Sequence, residues 1–267
     1  MTPSETNDAP SNGDSKGTSV IVNAIAVLRS FTADEPLLGV TEIAGRIGLH
    51  KSTVSRILAT LEQEHLVERD VDSRRFRLGL GMIAMAGPLL AELEERRVAY
   101  PVLRELTERT GETSALMVWN GSESMCVEQI PSRHQVKHLA PLGARYNEAL
   151  SSSVQVFLAV ENADRVRNLL SSGTITLPGL DETSMEAYLL RLEDSTKRGW
   201  AVNFGETSIE EVGVASPVYD HRGDIVASVL IPAPKFRVSQ DTLNSLGEAC
   251  ADAAAKVTTR LGGRAPR

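Results

Sequence analysis

The sequence has little of what marks several large classes of protein. Its 267 residues contain two cysteines, Cys126 and Cys250, far apart and in no paired spacing. Neither a disulfide framework nor a zinc site is written into it. No run of about 18 apolar residues offers a membrane-spanning helix, and Met1–Thr18 lacks the apolar core of a secretory leader. A P-loop, a dinucleotide-binding glycine fingerprint and a GxSxG elbow are all missing. The expectations are a cytoplasmic protein with no catalytic residues, no metal, no cofactor and no membrane partner. The formal net charge of −7 excludes indiscriminate nucleic-acid binding, because that affinity grows with the number of phosphates neutralised. A specific reader of DNA is compatible with an acidic chain when its contact face is locally basic. The 42% hydrophobic content and the length suit one small and one larger packed domain.

What is present is concentrated between Val40 and Leu61. Val40, Ile43, Ala44 and Ile47 fall at helical spacing, and Val54, Ile57, Leu58 and Leu61 repeat it. Gly48 stands between them, where a first helix must end and the chain must turn. Opposite the second apolar stripe lie Ser52, Arg56 and Ala59, flanked by Thr53 and Ser55, with Lys51 at the helix start. Small hydroxyls let a backbone approach a major groove closely, and an arginine can fork onto guanine O6 and N7. An ordinary solvated helix face is the competing interpretation. The following segment weighs against it. Leu66–Arg69 and Arg75–Leu78 read as two short strands joined by the turn Asp70–Arg74. Arg69, Arg74, Arg75 and Arg77 cluster there, as phosphate contacts beside a groove require.

Along the chain, residues 1–17 are polar and Pro/Gly/Ser-rich, and disorder is expected. Residues 18–78 form the expected winged helix-turn-helix domain, and 79–97 a helical linker with a kink at Gly87-Pro88. Leu80, Ile83, Leu90 and Leu93 in that linker suit either a second copy of the chain or the adjacent domain. Residues 98–264 read as α+β: a helix Pro101–Thr110, strands around the hairpin turn Asn120-Gly121, and a third strand near Gln135–Leu139. Helices near Ala149–Val160 and Met185–Arg198 follow, then strands Trp200–Phe204, Val212–Tyr219 and Ile225–Ile231, and a final helix Ser239–Leu261. On a strand, His134 and His138 lie too far apart to chelate a metal. Glu206, Glu210 and Glu211 read as a cluster of acids on a loop.

The first helix (Ile21, Ala24, Ile25 and Leu28 on one face), TEIAGRIGLHKSTVSRILATLEQEHLVERD and RRFRLGLGMIAMAG resemble the IclR family of bacterial transcriptional regulators. The resemblance continues through LGARYNEALSSSVQVFLAV and GVASPVYDHRGDIVASVLIPAP, and covers Ser19 to Gly262. It implies an α+β protein whose N-terminal winged helix-turn-helix domain is joined by a helical linker to a GAF-like domain with an antiparallel sheet. It implies as partners double-stranded operator DNA, a small-molecule effector, and the chain itself as a homodimer or a dimer of dimers. Carried over by motif, the effector positions are Gly143, Ala144, Asn203, Gly213, Leu230 and Pro232. Family members that bind small carboxylates often carry serines where this chain has Leu230 and Pro232. Asn147, Val154 and Gln155 also depart from the family pattern. These replacements predict an effector larger and more apolar than a two- or three-carbon acid, such as an aromatic or alicyclic acid, with Met117 and Trp119 lining its pocket. A degenerate pocket without ligand, and a core role for Met117 and Trp119, are the competing interpretations.

Overall fold

The computed structural model describes residues 14–32 and 34–264. The chain divides into two compact units between Glu92 and Leu93. The expected disordered tail lies outside the described residues over 1–13, while residues 14–17 open a helix.

The first unit runs α1 (Asp14–Arg29), α2 (Val40–Ile47), α3 (Lys51–Gln63), β1 (Val67–Arg69), β2 (Phe76–Leu78) and α4 (Gly81–Glu92). Helix α2 begins where the Glu42 carboxylate reaches back to accept the Gly39 N–H at 2.6 Å. It ends at Gly48, whose φ of 68° places it in the left-handed region. The core gathers Val27, Phe31, Leu38, Ile43, Val54, Ile57, Leu58, Leu61, Val67 and Phe76. The α3 stripe is therefore buried as its spacing predicts. The α1 stripe is only half so: Ala24 and Leu28 pack against this core, while Ile21 and Ile25 do not. Burial on this segment is confined to Val27, Ser30 and Phe31 at its C-terminal end, so Ile21 is 65% exposed and Ile25 43% exposed.

Strands β1 and β2 form the wing in antiparallel register, Glu68 opposite Arg77. Leu38 adds a bridge to Phe76, its N–H and C=O both engaged (2.9 and 2.8 Å). After β2 the chain passes tightly under the end of α3. A Cβ at Gly79 would sit 2.3 Å from the His65 carbonyl oxygen, and one at Gly81 2.6 Å from it, so only glycine fits at either position. Helix α4 continues through Pro88 without a break and buries none of its residues. The break falls at Leu93, and the next helix starts at Glu94 rather than at Pro101.

The second unit comprises α5 (Glu94–Thr110), β3 (Ser114–Trp119), β4 (Ser124–Ile130), β5 (Arg145–Tyr146), α6 (Ser152–Leu158), α7 (Ala163–Ser171), α8 (Glu182–Arg198), β6 (Ala201–Phe204), β7 (Glu211–Tyr219), β8 (Ile225–Pro234) and α9 (Gln240–Arg260). The strands form one antiparallel sheet in the order β5-β4-β3-β8-β7-β6. On one face, Leu116, Val214, Val229 and Ile231 pack against Leu103 and Leu106 of α5 and Leu246, Cys250 and Val257 of α9. On the other, Ala115, Met117, Cys126, Ala215 and Leu230 meet Val156 and Phe157 of α6. The Asn120 side-chain oxygen accepts the N–H groups of Ser122 (3.0 Å) and Glu123 (2.9 Å), closing the β3–β4 turn.

Two features differ from the sequence reading. Gln135–Leu139 is not a strand: Gln135, Val136, Lys137 and Leu139 are all exposed, so no alternate face is available to bury. The edge strand is instead the short Arg145–Tyr146 pair. Helix α7 was not anticipated. It is capped by the Asn162 side chain, which accepts the Arg165 N–H at 2.8 Å.

Candidate functional site

Two places bring chemistry together, one in each unit. In the first unit, α3 is capped by His50, whose Nδ1 accepts the Ser52 N–H at 3.3 Å and lies 2.7 Å from the Ser52 hydroxyl. Lys51, Ser52, Ser55 and Arg56 are exposed and Thr53 is half-buried. Among the described residues neither the Lys51 nor the Arg56 side chain has a hydrogen-bond or ion-pair partner. Helix α3 thus presents two uncompensated cations among small hydroxyls, close to an N-terminus whose backbone dipole also favours anions. His50 escaped the sequence reading because histidine is not among the preferred capping residues.

The wing arginines divide. Arg74 takes a left-handed conformation (φ 57°) at the turn and has no side-chain partner among the described residues. The turn is held by Asp70, which accepts the N–H and hydroxyl of Ser73 at 2.8 and 2.6 Å. Those hydrogen bonds, the hydroxyl's foremost, hold its carboxyl below the usual range. Arg75 instead binds Glu42 at 2.7 Å and the Leu37 carbonyl at 3.3 Å. The Glu42 carboxyl is held below its ordinary pKa first by the Gly39 N–H, with Arg75 and Arg46 adding to it. Arg77 pairs with Glu68. Arg69 lies 4.6 Å over the Phe76 ring, with Glu62 3.8 Å away. The wing's open positive charge is therefore smaller than its arginine count suggests. Exposed pairs of this kind are worth about 0–1 kcal/mol, weak enough for a phosphate to compete with them.

In the second unit, a cavity of about 120 Å³ opens between the start of β7, the N-terminus of α6 and the segment that leads into it. Asn203, Gly213 and Leu230, three of the six positions carried over by motif, line it together with Tyr146, Glu148, Ser151, Ser152 and Glu211. Gly213 is required by closeness: a Cβ there would stand 2.8 Å from the Ser152 hydroxyl. Asn203 organises the following turn, its oxygen accepting the Glu206 N–H at 2.9 Å. Burial pushes Glu211 above the ordinary carboxylate range, and the nearby Glu148 adds to that, while His138, 4.0 Å away, opposes it. Burial likewise pushes the Tyr146 phenol up to about 12.

The other predicted effector positions do not line this cavity. The Gly143 N–H already donates to the Cys126 carbonyl and the Ala144 N–H to the Pro141 carbonyl, both at 2.8 Å. Pro232 faces Gly213 across the β7–β8 ladder. Met117 is fully buried, and Trp119 stacks on Phe157 with ring centroids 5.3 Å apart. Both serve the core. The expected acid cluster also separates. Glu206 forms a two-point pair with Arg191 (2.7 and 2.6 Å), whereas Glu211 turns to the cavity.

His134 and His138 sit on a loop, and the His138 Nε2 lies 3.2 Å from the Glu210 carbonyl. Among the described residues no three His, Cys, Asp or Glu side chains converge as a metal site, and no helix is long and apolar enough to cross a membrane. Cys126 and Cys250 are buried, which pushes both thiols up to about 12. A larger cavity of about 750 Å³, lined by Trp200, Tyr219, Ala254 and Thr258, contains none of the predicted positions.

Comparison with known proteins agrees with both halves. Residues 20–71 match the IclR helix-turn-helix domain, and residues 88–259 match the family described as bacterial transcriptional regulator IclR C-terminal. The HTH-type transcriptional regulator KipR of Bacillus subtilis is 28% identical over 250 residues, spanning 91% of this chain and 96% of KipR. A crystal structure of a domain from an IclR-family regulator is 90% identical, with a TM-score of 0.64, covering 65% of this chain and 99% of that one. The structure of an IclR homolog from Microbacterium hydrocarbonoxydans complexed with 4-hydroxybenzoate superposes with a TM-score of 0.74 at 24% identity, over 91% of this chain and 98% of that one. The chain belongs to the IclR family of DNA-binding transcriptional regulators, which are not enzymes.

Proposed function

We propose that this protein reads a specific operator through α3 and the wing, and that a small organic effector in the second-unit cavity sets its operator affinity. The observation that carries the DNA-reading half is the unpartnered Arg56 and Lys51 beside Ser52 and Ser55 on the exposed face of α3. Side chains of that kind hydrogen-bond base edges, whereas Arg74 on the wing meets the phosphate backbone. The effector half rests on the cavity formed by Asn203, Gly213 and Leu230. An aromatic acid, the ligand class of the 4-hydroxybenzoate complex, is the expectation from Leu230 and Pro232. The cavity's small volume and its two glutamates count against it, and the engaged Gly143 and Ala144 amides offer an anion nothing.

The working unit is a two-fold dimer, which places two reading helices on a pseudo-palindromic site. The support is an apolar surface with nothing over it: Ile83, Met85 and Leu89 of α4 are each more than 60% exposed, as is Ile21 of α1. Surfaces of that character mark association sites. Ligand control then follows from linkage, since an effector shifts operator affinity only by binding two arrangements of the dimer unequally.

Selection of bound fragments from the source genome with purified protein tests the first half. A recurring inverted-repeat sequence is expected, and its absence would sink the reading. Sedimentation tests the second: Ile83→Glu with Leu89→Glu is expected to convert dimers to monomers and to abolish tight operator binding while the second unit stays folded.

A further inference from the structure

The cavity in the second unit is unusual in its charge. Glu148 and Glu211 both line it, and no lysine, arginine or histidine does. His138 lies 4.0 Å from the Glu211 carboxylate without lining the cavity. The Glu148 side chain has no ion pair or hydrogen bond among the described residues. Other acids of the same unit at partly buried positions are met by cations, as Glu206 is by Arg191 and Glu112 by Arg237.

A second observation points to a ligand. Ser152, only 2% exposed, lines the same cavity, and its hydroxyl has no hydrogen-bond partner among the described residues. A hydroxyl that opens onto a cavity with no partner from the chain is free to meet a ligand there. Asn203 is no substitute, because its amide is already engaged by Thr207 and Glu206. The cavity therefore offers two carboxylates, hydroxyls such as those of Ser152, Thr207 and Ser208 that can donate or accept, and one apolar wall from Leu230. Its only formal charges are negative.

We infer that the cavity takes a small ligand presenting a protonated amine, held by Glu148 and Glu211 with its head toward Ser152 and its carbon chain against Leu230. This rests on the reading of that cavity as the effector site. An anionic ligand would meet two like charges and no counter-ion among the lining residues, Glu148 at the exposed rim and Glu211 partly buried. Like charges repel more strongly where water is excluded. Burial already raises Glu211, and a neighbouring ammonium removes that strain by supplying the missing positive charge. Size narrows the class further. About 120 Å³ is roughly four water volumes, enough for a short-chain amine or amino alcohol. Metal ions fit less well, since no third metal-ligating side chain joins the two glutamates.

Calorimetry and thermal melting of the full-length protein test this, with n-butylamine and ethanolamine against butyrate and 4-hydroxybenzoate, and calcium chloride as the metal arm. The amines are expected to bind once per chain and to raise the melting temperature. Their affinity is expected to fall ten-fold or more in Glu148→Gln and in Glu211→Gln, with unliganded melting not lowered in either. Binding of the carboxylates alone, of calcium at least as tightly as the amines, or of no probe would overturn the inference. So would amine binding that both glutamine variants retain. Fluorescence anisotropy on the selected operator separates the two readings. An amine that binds without altering operator affinity leaves the ligand class standing and removes the effector role. A carboxylate that shifts operator affinity does the reverse.

Discussion

The exposed face of α3 and the cavity of the second unit carry opposite charges, yet each holds charge that no other group among the described residues meets. Arg237 grips Glu112 with two hydrogen bonds (2.5 and 2.7 Å), and Arg191 grips Glu206. Such pairs fasten the end of β8 to the start of β3, and α8 to the β6 turn. Lys51, Arg56 and Arg74 have no such partner, and neither does Glu148. Pairs of that kind hold elements of the fold together, whereas unpaired charges are common on the surface, Glu161 and Asp241 among them. Lys51, Arg56, Arg74 and Glu148 are set apart by their places on α3, at the wing turn and at the cavity. A count of arginines misses this distinction, as the wing illustrates: Arg75 and Arg77 belong to the matched class and Arg74 to the other.

The sharpest way to break the comparison is to remove a matched charge. Glu112 is 6% exposed, and Arg237→Ala would leave its carboxylate buried without a counter-ion. A loss of about 3 kcal/mol in the unfolding free energy of the second unit is expected, read by chemical denaturation. Operator binding by the folded protein should be little affected. If stability hardly moved, pairing would not distinguish structural from functional charges here.

Removing a leftover charge should do the opposite. Arg56→Ala is expected to leave the melting temperature unchanged and to cost about 1–3 kcal/mol of discrimination at one base position. Competition between operator variants measures it. On the wing, Arg74→Ala should weaken all DNA alike and flatten the salt dependence by about one phosphate contact. Arg75→Ala should flatten it less, because part of that arginine's positive field is already cancelled by Glu42. Equal slopes for the two variants would mean that phosphate displaces Glu42 completely.

Much of the first unit was legible in the sequence, for a physical reason. The stripe Val54, Ile57, Leu58, Leu61 is continuous, and all four residues are buried; periodicity is informative when a whole face is covered. Helix α1 shows the failure: Ile21 and Ile25 have the right spacing but little of the unit's own core lies against them. In the second unit the strands were found and the cavity only half found. Asn203, Gly213 and Leu230 came from motif resemblance. Glu148 and Ser152 meet Glu211 only after the sheet is assembled, and no spacing encodes that meeting. In the sequence Glu211 reads with Glu206 and Glu210 as a cluster of acids on a loop, because adjacency on a loop says nothing about which way each carboxylate turns. The Gly143 amide is likewise engaged by the Cys126 carbonyl of β4, which no local spacing encodes, while the Ala144 amide closes a local turn onto the Pro141 carbonyl.

The finest test of the comparison sets two of those glutamates against each other. Glu206 is held below the ordinary carboxylate pKa, first by its hydrogen bond from Arg191. Its folded value lies under its unfolded one, so its contribution is present above the unfolded pKa and is lost as pH falls through the folded value. Glu211 is raised, first by burial. Its folded value lies above its unfolded one, so the protonated form favours folding at low pH, and that advantage is lost as pH rises through the folded value. The two acids therefore tilt the stability profile in opposite directions across the mildly acid range. Glu206→Gln should lower stability at pH 7 and leave less to lose on acidification. Glu211→Gln should raise stability slightly at pH 7 and make acidification more damaging relative to the unmodified chain. Each shift is expected to be small, about 1 kcal/mol or less, and denaturation midpoints followed from pH 4 to pH 7 resolve its sign. The same sign for both variants would place Glu211 among the matched charges and remove the basis for an ammonium in its cavity.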